Sequence, residues 1–144
     1  MSDLAPYLLT GSAVIPLVFG LLHLLYTFHG PKLLPRDAEL QERMRSVSPV
    51  ITRETTMWQC WIGFNASHSF GLILFGLIYG YLALAHPAFL FASAFLLVVG
   101  AMLLIGYACL GVRYWFRVPL CGILLSFTLY MVAVMSGAGS SFGR

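Results

Sequence analysis

Four apolar runs constrain this chain more than any other feature. They cover about Leu4 to Phe28, Thr55 to Ala85, Ala88 to Leu110 and Val118 to Ser136. Each is near or above the ~20 residues that an α-helix needs to cross a bilayer. Lipid offers no hydrogen bonds, so a spanning segment must satisfy its own backbone, and a helix does so within one segment. Only 9% of the residues are charged and 60% are hydrophobic, against about 25% charged in a typical soluble domain. Such a chain cannot cover a water-facing surface. The fold class is therefore an all-α membrane protein, an up-down bundle of four transmembrane helices forming a single domain over residues 1–144. The start, "MSDLAPYLLTG", lacks a basic region, so the first run is expected to be a retained span and not a cleaved signal.

Charge placement predicts orientation. Lys32, Arg36, Arg43, Arg45 and Arg53 lie between spans one and two, and Arg113 and Arg117 between spans three and four. The turn "LAHPAF" between spans two and three has neither Lys nor Arg. Cytoplasmic loops are enriched in both residues. The first and third loops are thus expected in the cytoplasm and both termini outside, in a bacterial inner membrane. Trp58, Trp61, Trp115, Arg113 and Arg117 fall where an interfacial belt would anchor the spans.

The first loop is the only sizeable polar segment. Asp37 is placed to cap a short helix running to Val47, with Leu40, Met44 and Val47 on one apolar stripe suited to a membrane surface. Ser48 and Pro49 form a helix-start pattern. A helix running unbroken from Pro49 to Ala85 would be ~55 Å long at ~1.5 Å per residue, so it must project, tilt, or break near Thr52 to Thr56. Gly76 and Gly80 make a G-x-x-x-G, and Ser12, Pro16 and Gly20 a second four-residue ladder, both suited to close helix packing. Pro16 is expected to kink the first span. The tail "SGAGSSFGR" reads as flexible.

The candidate site is defined partly by what the spans lack. Their interiors hold no Asp, Glu, Lys or Arg, which removes the intramembrane ionisable groups that proton-coupled transport requires. No metalloprotease, hydrolase or phosphate-loop motif is present. Cys60, Cys109 and Cys121 make no C-x-x-C pair. No basic surface fit for nucleic acid exists beyond the juxtamembrane loops. Histidines remain. Trp61, Asn65, His68 and Leu72 share one face of span two. His23 and Tyr26, in the antiparallel first span, fall at a matching depth, and Tyr107 of span three is level with them. A polar cluster of His23, Tyr26, Asn65 and His68 is therefore expected in the cytoplasmic half. His29 and His86 lie at helix exits and read as solvated.

The run "MWQCWIGFNASHSFGLILFGLIYGYL" resembles an uncharacterised bacterial family of small four-helix integral membrane proteins. The likeness rests on a W-x-G-F-N-x-S-H signature, here Trp61, Gly63, Phe64, Asn65, Ser67 and His68, with Gly71 following. The region "GLLHLLYTF" extends the likeness to His23. The resemblance implies a four-helix membrane fold and directs attention to Asn65 and His68; it implies no reaction.

Two functions follow from the residues. The leading one is non-catalytic, a small membrane accessory or structural subunit that contacts lipids and packs against other subunits or its own copies. The alternative is a membrane protein, a binding protein or an enzyme, that takes lipid, quinone or haem through His23, Asn65 and His68.

Overall fold

The computed structural model describes residues 4–141, with side chains through residue 137. It contains α1 (Leu4–Phe28), α2 (Ala38–Ser46), α3 (Met57–Ala85), α4 (Pro87–Ala92), α5 (Ala94–Tyr114) and α6 (Arg117–Ser141). Helices α1, α3 and α5, and α6 over Arg117–Gly137, are long and apolar enough to cross a membrane. The chain is an all-α, multi-pass membrane protein. Its side chains are sorted accordingly. Phe64, Phe95, Met102 and Val112 face outward, whereas Ser12, Ser69 and Ser126 are fully buried. Lipid is as apolar as leucine, so burial of large apolar side chains does not drive helix association there; small and polar contacts do more of it.

Two span boundaries differ from expectation, and the helix-start pattern at Ser48-Pro49 is not used. The second span begins at Met57, within two residues of the expected Thr55 and not at Pro49. The deciding signal is a capping box at Thr56-Met57-Trp58-Gln59. The Gln59 amide donates to Thr56 Oγ1 at 3.3 Å, and the Thr56 amide donates back to Gln59 Oε1 at 2.9 Å. Residues 47–56 instead form an irregular loop. The third span is not one helix over 88–110: it is divided into α4 and α5 at Ser93, and α5 runs on to Tyr114. Ser93 is extended (φ −94°, ψ 94°) and its side chain accepts from the Leu96 amide, so it ends α4 and caps α5. The fourth span extends beyond Ser136, with α6 continuing through Ser141, so the start of the tail is helical; its remaining residues lie outside the described ones. The short loop helix forms as expected, with the Asp37 carboxylate accepting from the Glu39 and Leu40 amides and Val47 as its C-cap.

The described residues divide into two compact units, one formed by the chain through Phe19 together with Leu72 onward, the other by Gly20–Gly71. In the first unit, Leu9, Ala13, Phe75, Tyr79, Leu104 and Tyr130 belong to one buried core contributed by α1, α3, α5 and α6. A Cβ on Gly76 would lie 2.5 Å from Leu17 Cβ and 2.8 Å from the Ala13 carbonyl oxygen, so α1 and α3 approach closely within one chain. Gly80 faces Ala13 more loosely, at 3.7 Å.

Two pairs of hydrogen bonds lock the same unit. Pro16 has no N–H, which leaves the Ser12 carbonyl without its helical donor. Ser126 Oγ of α6 donates to that carbonyl at 2.8 Å, and Ser12 Oγ donates to the Ser126 carbonyl at 2.8 Å. Each hydroxyl has one proton and spends it on a carbonyl, so the 3.1 Å approach of the two Oγ atoms is a consequence of that exchange and not a third bond. Tyr79 and Tyr130 donate to the Leu96 and Leu97 carbonyls at 2.7 and 2.9 Å, tying α3 and α6 to the first turn of α5. Gly100 makes room for both rings: an added Cβ would meet the Tyr130 hydroxyl and Tyr79.

Candidate functional site

The candidate site lies in the second unit, where the last turns of α1 meet the first turns of α3. His23 Nε2 is 2.9 Å from Asn65 Oδ1. The other end of the amide is fixed, because Asn65 Nδ2 donates to the Trp61 carbonyl at 2.7 Å. The oxygen facing His23 can only accept, so His23 Nε2 carries the proton and donates. The sequence produces this geometry simply. Asn65 stands one turn after Trp61, so its side chain reaches back to a helical carbonyl while its oxygen projects toward α1.

His68, three residues further on the same face, brings its ring against His23, with centroids 5.2 Å apart and planes at 78°. Around this pair, hydroxyls turn back onto their own helices. Thr27 donates to the His23 carbonyl at 2.8 Å, Ser69 to the Asn65 carbonyl at 2.9 Å and Ser67 to the Phe64 carbonyl at 3.0 Å. Among the described residues, no buried side-chain nitrogen or oxygen lacks a hydrogen-bond partner.

The structure thus brings His23, Asn65 and His68 together. Tyr26 lies one turn below His23 and carries the Lys32 ammonium 3.9 Å above its ring centroid. Trp61 donates its indole N–H to the Leu33 carbonyl at 3.1 Å, and Trp58 lies under the Arg45 guanidinium at 5.4 Å. In the first unit, Trp115 ends α5 with its amide on the Gly111 carbonyl, and its ring stands 6.0 Å from that of Tyr107. Arg113 and Arg117 flank it and are exposed. At the α3–α4 turn, exposed His86 meets the Tyr81 hydroxyl at 3.1 Å.

The arrangement does not fit a haem held between His23 and His68. Axial histidines stand on opposite faces of a macrocycle, whereas these two rings touch edge to face. Among the described residues, no three His, Cys, Asp or Glu side chains are grouped to hold a metal ion.

Residues outside the expected cluster hold the first unit together, chiefly Ser126, Tyr79, Tyr130 and Gly100. Pro16 was the legible signal for one of them. A proline inside a buried helix frees a carbonyl four residues back, and a hydroxyl on another span must answer it.

No protein-family model matches the chain, and neither a curated protein nor a solved structure shows significant similarity to it.

Proposed function

We propose that this chain is a small, non-catalytic integral-membrane subunit in which the His23–Asn65–His68 cluster is a structural clasp between α1 and α3. The observation that carries this reading is that both ends of the Asn65 amide are bonded within the chain, its oxygen to His23 across the two helices and its nitrogen to the Trp61 carbonyl. In this reading the chain resides in a bacterial inner membrane with both termini outside, packs against other membrane subunits, and belongs with the small four-helix proteins that share the W-x-G-F-N-x-S-H signature.

Purification in mild detergent, followed by an absorption spectrum and native mass spectrometry, tests it. The expected result is retention of defined protein partners, lipid in variable amounts, and no visible absorption band. A stoichiometric haem, quinone or single lipid species that is lost on His68→Ala would refute the reading and establish the ligand-binding alternative.

A further inference from the structure

Helix α2 and the loop after it have an unusual construction within the second unit. Helix α2 has nine residues and none of them is buried. A helix this short is marginal in water, where ~12–15 residues are needed even for strong helix formers. Its sequence is nevertheless two-faced. Leu40, Met44 and Val47 follow i, i+4, i+7, Arg43 flanks that stripe, and Glu42 lies on the opposite face. The loop then presents Val50 and Ile51 at its apex, Val50 fully exposed and Ile51 at 92%. This is no loose segment. The Met57 amide closes it onto the Val47 carbonyl at 2.8 Å, the Thr52 amide turns it onto the Pro49 carbonyl at 3.3 Å, and the Glu54 amide bonds Thr52 Oγ1 at 3.1 Å. Two branched aliphatic side chains are held out by an ordered turn, with none of the described residues covering them.

Two exposed cations of the same unit point to the occupant. Lys32 rests on Tyr26 and Arg45 on Trp58, at the ends of α1 and α3. An aromatic face attracts a cation without neutralising it, so both charges stay available to an anion. Tyr and Trp at the ends of spans sit at headgroup level, and the Trp61 indole pins Leu33 to the same level. Cation, aromatic and apolar tip together match an anionic leaflet surface, with phosphates for Lys32 and Arg45 and the acyl boundary for the aliphatic side chains.

We propose that α2 and the 47–56 loop form a membrane-surface anchor, in which Lys32 and Arg45 bind anionic phospholipid headgroups while Leu40, Met44, Val50 and Ile51 enter the same leaflet. The anchor stands whether or not the chain has protein partners.

Full-length protein with its three cysteines replaced by serine carries an environment-sensitive fluorophore at Ile51→Cys or, for contrast, at Glu42→Cys. Each is reconstituted in phosphatidylcholine vesicles with and without phosphatidylglycerol. With phosphatidylglycerol, the label at position 51 shifts to the blue, is quenched by lipid-borne spin label and escapes iodide; the label at 42 behaves oppositely. Lys32→Gln and Arg45→Gln each lower the insertion equilibrium about fivefold in the anionic vesicles. Iodide quenching equal at the two positions in both vesicle types overturns the proposal. So does equal insertion with and without phosphatidylglycerol, or protection that appears only at high protein-to-lipid ratio, which assigns the tip to self-association.

Discussion

Replacing either glycine of the G-x-x-x-G in α3 by alanine is the same chemical change four residues apart, yet the outcomes should have opposite signs. At Gly76 the new Cβ would stand 2.5 Å from Leu17 Cβ, 2.8 Å from the Ala13 carbonyl oxygen and 3.0 Å from Leu17 Cα. Carbon atoms pack at about 3.5–4.0 Å, so the overlap is roughly 1 Å. Two of the three atoms are backbone and the third is attached directly to it, so no rotamer change relieves the clash and α1 must move away from α3. Overpacking of this kind costs about 1–3 kcal/mol, more than the up to ~1 kcal/mol that alanine gains over glycine in helix propensity. At Gly80 the nearest atom is Ala13 Cβ at 3.7 Å, an ordinary contact. Gly80→Ala should therefore be neutral or stabilising by at most ~1 kcal/mol. Unfolding of the detergent-solubilised protein on titration with a denaturing detergent, followed by circular dichroism, compares the two. Gly76→Ala should unfold earlier than wild type and Gly80→Ala no earlier. Coincident curves for the two variants would refute the close approach of α1 and α3 at Gly76.

Other perturbations follow from single hydrogen bonds. Ser126→Ala removes the donor to the Ser12 carbonyl that Pro16 cannot supply, leaving a buried acceptor unsatisfied at a cost of about 1–3 kcal/mol. Adding Pro16→Ala to that variant restores a backbone N–H and should recover part of the loss in the same unfolding titration. Thr56→Ala breaks one arm of the capping box, and a lost cap costs about 0.5–2 kcal/mol. Its signature is faster amide exchange in the first turn of α3, with exchange in α5 unchanged.

The four spans and the loop helix were legible because hydrophobic length and one aspartate cap state them directly. The cluster of His23, Asn65 and His68 was legible for a related reason. Polar side chains at helical spacing in an apolar run must find partners, and an antiparallel neighbour offers them at matching depth. Two kinds of feature were harder to see. Ser48-Pro49 is a strong local start pattern that no helix uses, while Thr56-x-x-Gln59, beside the expected start near Thr55, is the pair whose geometry closes. The break at Ser93 fell within a run whose hydrophobicity does not change. Its signal is a serine hydroxyl able to cap, supported by the tyrosine contacts to Leu96 and Leu97. Those contacts depend on side chains distant in sequence, which no local pattern encodes.

The central claim is that the polar face of α3 is occupied by α1. A double-mutant cycle on His23→Ala and Asn65→Ala tests it most directly, with unfolding free energies measured in lipid bilayers or bicelles. The single variants and the double variant should reveal a favourable coupling of about 0.6 kcal/mol, up to ~1.7 kcal/mol, the range of interhelical hydrogen bonds in membranes. Strictly additive losses would show that the two side chains do not stabilise each other, and the cluster would then have to serve something other than the fold.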